Sequence, residues 1–238
     1  DQNLNNQARV NIESENLEES KKQSQNQNSK QTNEEPVGIE KFAYSSQKEE
    51  KFYQLENNLI KIIISNKGGQ ISMANLKKFD NYLKEPLNLV DNNQTTDLVF
   101  KLKDGRQINT SKLNFQVNKN ESKKDQLVMR AFFSQDGWIQ FQYSLLPDSY
   151  LLDYTITSSN LKSFADTSEP NRLEWNLKSF RNSKSVEYEN RYTELTYGYE
   201  NDKVNELSIT GTDEENVDEI QWISYKQHFF NSILIPDK

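Results

Sequence analysis

The sequence predicts an all-β fold in which antiparallel strands form two packed sheets. About ten short runs rich in β-branched and aromatic residues follow one another after residue 50. Turn-forming dipeptides such as Asp136-Gly137 separate several of these runs. No long stretch shows the apolar period of an amphipathic helix. A folded region of about 185 residues is long enough for two packed sheets in one domain.

The first 50 residues differ from the rest in composition. They are rich in Asn, Gln, Ser, Glu and Lys, and residues 21–35 contain no aliphatic or aromatic side chain. Such a segment cannot bury enough apolar surface to offset the entropy lost on folding. The sequence therefore predicts a disordered polar linker at residues 1–50 and a folded domain at residues 51–238. Because Asp1 follows no initiator Met or leader, we expect a piece of a longer product.

The folded region opens with strand-like runs at residues 52–55 and 59–65. Gly68 and Gly69 follow, and glycine adopts positive φ without steric cost. The pair therefore predicts a tight turn before a strand at residues 70–76. Further strands are predicted at residues 97–102, 113–118, 126–133 and 138–146.

The second half of the region continues this pattern. Residues 150–157 alternate with the period of a half-buried antiparallel strand. One face of this strand carries Tyr150, Leu152, Tyr154 and Ile156. Residues 172–177, around Trp175, predict another strand. Residues 187–199 are aromatic but highly charged and predict an exposed excursion or an edge strand, and residues 210–219 predict an acidic loop.

Residues 222–236 hold two apolar clusters on either side of a short polar centre. Periodicity alone does not separate a helix from two strands here, but the β-branched and aromatic content favours strands. We predict strand–turn–strand with the turn at residues 226–228 and Pro236 as terminator. This much apolar area is buried or passed to a partner, and we expect a hairpin in the core.

Composition excludes several classes of protein. The chain has 36 acidic and 29 basic residues, a formal charge of −7, which argues against nucleic-acid binding. It has no cysteine, which excludes disulfides and thiolate metal sites. No run approaches the roughly 20 apolar residues that span a bilayer.

The sequence predicts no catalytic, cofactor-binding or metal-binding residues, and no cofactor. His228 is the single histidine and has aromatic neighbours, so we expect a packed imidazole rather than an acid or base. Calcium is conceivable at Asp213-Glu214-Glu215 and Asp218-Glu219. That stretch lacks the ligand spacing and glycine of an EF-hand loop, so we predict a solvated loop.

Four tyrosines interleaved with charges are the strongest candidate for a binding surface. They are Tyr188, Tyr192, Tyr197 and Tyr199, with Arg191 among them. They predict either a sugar- or peptide-binding surface or sheet-face residues that cover the core.

The ordered segments resemble the large periplasmic domain of the bacterial YidC family of membrane protein insertases. Residues 59–71 are similar to the family's first strands and Gly-Gly turn, with Leu76 in the next strand. Similar segments follow at residues 86–90 and at residues 143–156. Residues 222–236 contain the pattern Trp-x-x-x-x-Gln-x-Phe-Phe. The sequences at residues 189–192 and 226–230 are most similar to those of the Bacteroidota branch.

The resemblance implies a β-supersandwich related to galactose-mutarotase-like folds. It implies a periplasmic position between a first transmembrane helix and the insertase core, tethered by residues 1–50. The family's domain continues with more strands and a helix, so we expect the sandwich to be truncated at its C-terminus. The basic groove that inserts proteins lies outside this chain.

The function implied is a non-catalytic domain of an inner-membrane insertase that serves as a scaffold or docking surface. Expected partners are translocation components such as SecDF and SecYEG, and nascent membrane proteins. Mutarotase-like enzymes use paired histidines, which a chain with one histidine cannot supply. The alternatives are a carbohydrate-binding sandwich at the tyrosine-rich segment and a surface lipoprotein or adhesin domain.

Overall fold

The computed structural model describes residues 49–208 and 212–237. Among these residues it has fifteen strands and three short helical segments. Residues 1–48 of the predicted linker lie outside the described residues. The strands are β1 (Phe52–Glu56), β2 (Ile60–Ser65), β3 (Ile71–Asp80), β4 (Pro86–Asp91), β5 (Gln94–Lys101), β6 (Gln107–Asn109), β7 (Gln116–Val117), β8 (Gln126–Phe132), β9 (Trp138–Leu145), β10 (Leu152–Ser159), β11 (Arg172–Leu177), β12 (Glu194–Tyr199), β13 (Lys203–Ser208), β14 (Ile220–Lys226) and β15 (Asn231–Leu234). The helical segments are the 3-10 turn η1 (Thr110–Lys112), α1 (Leu161–Phe164) and α2 (Val186–Tyr192).

The strands form four sheets, and every pairing between them is antiparallel. The first has the order β1-β2-β3-β4 and the second β10-β9-β8-β7. The third is β11-β5-β6 and the fourth β13-β12-β14-β15. The predicted all-β antiparallel sandwich is confirmed, and its kinship with galactose-mutarotase-like folds stays a prediction.

The core is one cluster of side chains from the first three sheets. On β2, Ile60, Ile62 and Ile64 alternate inward and are 6%, 2% and 0% exposed. They meet the inward residues of β8 and β9, and the ring of Phe141 stacks on Phe115 with centroids 4.4 Å apart. Along β2, β8 and β9, every second side chain points into this core, as the two-residue period of a strand requires.

The predicted Gly-Gly turn between β2 and β3 is confirmed. Gly68 and Gly69 have φ of 67° and 63°. A Cβ on Gly69 would lie 2.5 Å from Cδ2 of Phe141, so the turn backbone packs directly on the core. The Tyr143 hydroxyl donates to the Gly69 carbonyl at 2.6 Å, which fixes the turn against β9.

A buried carboxylate joins β5 to the turn after β6. Asp97 is 7% exposed and accepts hydrogen bonds from side chains of Asn109 (2.9 Å), Thr110 (3.2 Å) and Ser111 (2.6 Å), and from the Ser111 amide (3.0 Å). Burial alone would raise the pKa of Asp97, but these donors outweigh it and hold the pKa below its usual value. The ionised carboxylate is thus part of the fold.

The predicted strand at residues 113–118 is wrong for most of its length, since β7 covers two residues. The Leu113 carbonyl accepts from the Gly68 amide at 2.7 Å, and the Phe115 amide donates to the Asn66 carbonyl at 2.8 Å. Both side chains are nevertheless buried. The segment hydrogen-bonds to the Gly-Gly turn instead of to a neighbouring strand, so it is extended without forming a regular ladder.

For residues 187–199 the prediction is an exposed excursion or an edge strand, and the edge strand is wrong, whereas most residues of the first part are exposed. The first part forms α2, and the rest forms β12, which lies between β13 and β14 in the interior of the fourth sheet. Ser185 caps α2, because its hydroxyl accepts from the Tyr188 amide at 3.3 Å. The serine cap and the charged first turn overrode the strand preference of the tyrosines.

The fourth sheet contacts the third through an aromatic pair. The ring of Tyr225 on β14 meets Trp175 on β11 edge-on, with centroids 4.7 Å apart. The Tyr225 hydroxyl donates to the Trp175 carbonyl at 2.9 Å, and burial raises the pKa of that hydroxyl. These contacts fix the sheet that carries the candidate site.

Candidate functional site

The β14–β15 hairpin exposes three of the apolar residues that the sequence places in the core, whereas Phe230 packs against the core. The predicted strand–turn–strand is confirmed, with the turn at residues 227–230 and the Gln227 amide donating to the Phe230 carbonyl at 2.8 Å. Phe229, Ile233 and Ile235 are 66%, 49% and 62% exposed. The prediction of a core hairpin is therefore wrong for these side chains, because they lie in the turn, on the edge strand β15 and directly after it.

Helix α2 is tied to this turn by a buried carboxylate. Glu189, 4% exposed, accepts hydrogen bonds from the Asn182 amide at 3.1 Å and, more closely, from the Ser183 amide. It also accepts from the Gln227 side chain at 3.4 Å, which itself donates to the Phe180 carbonyl at 2.5 Å. The helix, the loop before it and the turn therefore form one connected unit.

Stacked rings cover that unit on the outside. His228 lies parallel to Tyr192, with centroids 4.7 Å apart and an interplanar angle of 11°. Tyr188 lies 6.3 Å away from it and Phe229 4.0 Å away. Nδ1 of His228 lies 3.4 Å from the Ser183 hydroxyl. The predicted packed imidazole fits this arrangement, with ring partners 36 and 40 residues earlier in the chain.

We call this region the turn surface and define it by six residues. They are Phe180, Lys184, Tyr188, Tyr192, His228 and Phe229. Four of the ring side chains are 40% to 66% exposed: Phe180, Tyr188, Tyr192 and Phe229. Large rings held in place on the outside of a domain are typical of interaction sites.

Cationic side chains lie within the turn surface and around it. The Arg191 guanidinium lies 5.2 Å from the Tyr188 ring and pairs with Glu187 at 3.3 Å. Arg181 lies 4.3 Å from the ring of Tyr82 and donates to the Ser183 carbonyl at 2.9 Å. Lys184 is exposed and, within the described residues, has no carboxylate within ion-pair distance.

The four tyrosines do not form one platform. Tyr197, 3% exposed, donates its hydroxyl to Glu215 and accepts from the Asn205 side chain at 3.0 Å. Its pKa is raised, first by burial and then by the bond to the carboxylate. Tyr199 lies beside it, at 5.6 Å between centroids. Both lie at the end of β12 that points away from α2.

The acidic loop is held by that same tyrosine. Glu215 bonds to Tyr197 and also accepts from Asn205 at 3.0 Å, while residues 212–219 are otherwise irregular. Across the two stretches that the structure describes, no three histidine, cysteine or carboxylate side chains come together as metal ligands would. The conceivable calcium site at Asp213 to Glu219 gains no support.

A model of the YidC periplasmic domain family matches residues 53–238. The chain belongs to the YidC periplasmic domain family. It is 30% identical over 197 residues to the membrane protein insertase YidC of Azobacteroides pseudotrichonymphae, which covers 82% of this chain and 32% of that protein. The YidC of Bacteroides fragilis is 32% identical over 202 residues, covering 83% of this chain and 32% of that protein.

The predicted resemblance, including its Bacteroidota branch, is confirmed by these relatives. The chain spans about a third of the length of the curated relatives that it matches. The family assignment places the domain in the periplasm. Of the helices in residues 49–208 and 212–237, none is long and apolar enough to cross a membrane.

Sequence reasoning named Tyr188, Tyr192, His228 and Phe229 but did not bring them together. The missing step was α2, which turns Tyr188 and Tyr192 onto one side because they are four residues apart. The signal was present as Ser185 followed by acidic residues in the first turn. It was outweighed by the high tyrosine content.

Proposed function

We propose that the domain is a non-catalytic docking module of a membrane protein insertase. The relatives that it matches are named membrane protein insertases. The domain would assist insertion and folding of inner-membrane proteins by holding a translocation component or an emerging chain. It would act as a scaffold and leave the chemistry of insertion to parts of the protein outside this chain.

The observation that carries this proposal is the turn surface. Its rings are exposed, yet Glu189 and the His228 stack hold them in a fixed arrangement. Pre-ordered aromatic side chains lose little conformational entropy on binding, which is why such residues dominate protein–protein contacts. A surface of this kind is better suited to binding a partner chain than to catalysis.

The surroundings of His228 support a role without catalysis. Its ring faces are covered by Tyr192 and Phe229, and its Nδ1 faces the Ser183 hydroxyl. A proton-transferring histidine needs an edge directed at substrate and an orienting acid. Glu189, the nearby buried carboxylate, is engaged by the backbone amides of residues 182 and 183 instead.

The expected partners are SecDF- or SecYEG-type components and nascent membrane proteins. The test is photocrosslinking in cells, in the full-length protein that contains this domain. A photoreactive residue replaces Phe229, or in a second strain Thr157, an exposed residue of β10. We expect Phe229 to crosslink a defined translocation component or nascent chain, and Thr157 to yield much less.

Equal yields from both positions, or crosslinks to lipid alone, would remove the turn surface as the docking site. Turnover of any substrate by the purified domain would contradict the non-catalytic role.

The carbohydrate-binding alternative loses the platform on which it was based. Tyr197 is buried and Arg191 lies over the ring of Tyr188. A sugar needs open ring faces for stacking. A thermal-shift screen with mono- and oligosaccharides at about millimolar concentration measures this, since a ligand at 100 times its Kd stabilises by about 2.7 kcal/mol.

A further inference from the structure

The two ends of the fourth sheet carry opposite charge. Residues 178–192, beside the 227–230 turn, contain four basic and two acidic residues. Glu189 is buried and Glu187 pairs with Arg191, so the exposed excess there is cationic. At the other end, residues 200–203 and 212–219 contain seven carboxylates and one lysine. The ends are about 17 Å apart along β12, from the rise of a strand.

This local excess is opposite in sign to the chain, whose formal charge is −7. Lys184 belongs to the turn surface, and Arg181 donates to the carbonyl of Ser183, the residue whose hydroxyl faces His228. Among the described residues, neither cation forms an ion pair with a carboxylate. Cations beside aromatic rings attract a segment that brings both carboxylates and large apolar side chains. A basic segment would be repelled by Arg181 and Lys184.

We propose that the turn surface binds an acidic amphipathic segment of a partner protein, with its apolar side chains on the rings and its carboxylates towards Lys184 and Arg181. This inference rests on the proposed docking function and adds the chemistry of the partner. The apolar contacts provide most of the affinity, and the charges speed association and exclude basic segments.

The test measures binding of three short labelled helical peptides to the 238-residue chain by fluorescence anisotropy. The first peptide has leucine and phenylalanine on one face and glutamate on the other. The second carries lysine in place of every glutamate, and the third carries serine in place of every apolar residue. Salt is raised from about 0.1 M to about 1 M, which shortens the screening length from about 10 Å to about 3 Å.

We expect the first peptide to bind and to weaken with salt, and the other two to bind at least about tenfold more weakly. Lys184→Glu should weaken the first peptide by about fivefold, the scale of one exposed charge pair. Phe229→Ser should weaken it by about tenfold or more. Lys119→Glu and Val204→Ser are the matched controls, at an exposed lysine and at an apolar residue that is 65% exposed, and should change nothing.

Each other result overturns the proposal. Equal binding of the lysine peptide removes the charge argument, and equal binding of the serine peptide removes the apolar one. Self-association that Phe229→Ser abolishes would assign the surface to the acidic end of a second copy. Flotation with vesicles of anionic phospholipid, lost in Phe229→Ser, would assign it to a membrane. If Phe229 crosslinks a protein in cells but no acidic peptide binds, docking stands and this partner chemistry falls.

Discussion

The core strand β2 and the β14–β15 hairpin are both rich in isoleucine or aromatic residues, yet the fold treats them differently. Ile62 and Ile64 are almost completely buried, whereas Phe229 and Ile235 are more than half exposed. Strand β2 lies between two neighbours over a second sheet, while Phe229 lies in the turn before the edge strand β15 and Ile235 directly follows that strand. Apolar sequence is therefore used for stability in one place and left available for contact in the other. Substitutions in the two regions therefore test whether each region contributes to the free energy of unfolding or to partner binding.

The largest effect is expected in the core, from Phe141→Ala. The ring packs on Phe115 and Tyr154 and is 1% exposed, so its removal leaves a cavity. We expect a loss of about 3–5 kcal/mol in the free energy of unfolding, measured by chemical denaturation. A loss below about 1 kcal/mol would show that the sandwich is not the stabilising core.

Gly69→Ala should cost somewhat less. An alanine there has an unfavourable positive φ and a Cβ that would lie 2.5 Å from the Phe141 ring, so we expect about 2–4 kcal/mol. Gly105→Ala is the matched control, because Gly105 also has positive φ but nothing within 4 Å of an added Cβ. The difference between the two unfolding free energies isolates the packing cost, and equal losses would contradict it.

Asp97 predicts that the free energy of unfolding depends on pH. Its pKa is lower in the folded chain than in the unfolded one, so the ionised form favours folding. This stabilisation is complete above the unfolded pKa of about 3.9 and is lost as pH falls through the folded pKa. Asp97→Ala, which leaves its buried donors without an acceptor, should cost about 1–3 kcal/mol near neutral pH.

Denaturation curves at a series of pH values, for the wild type and Asp97→Ala, measure this. The stability gap between them should narrow in acid. A gap that is constant down to about pH 2 would show that the carboxylate does not contribute through its charge.

The smallest effect on stability is expected at the turn surface. Phe229→Ser removes a ring that is 66% exposed, so the free energy of unfolding should change by no more than about 0.5 kcal/mol. A loss comparable with that of Phe141→Ala would mean that the hairpin belongs to the core after all.

Sequence reasoning was most successful where periodicity and burial agree. The strands β2, β8, β9 and β11 lie at or near their predicted positions, because alternation selects a buried face. The Gly-Gly turn was predictable because its backbone conformation favours glycine.

The remainder depended on contacts distant in sequence. Nothing local shows that Glu189 reaches the turn at Gln227, or that Tyr192 stacks on His228. The exposure of Phe229 was not predictable, since the local sequence does not show which side chains of the turn at residues 227–230 the rest of the fold covers. The candidate residues could be named from the sequence, but their assembly into one surface could not.

The central claim is that the turn surface serves contact and not folding, and one measurement tests it most directly. A photoreactive residue at Tyr188 in the full-length protein reports partner contact, with and without Phe229→Ser, while thermal unfolding of both purified chains is recorded. We expect the crosslinking yield to fall several-fold with Phe229→Ser while Tm shifts by less than about 2 °C. An unchanged yield, or a yield that falls only together with a large drop in Tm, would contradict it.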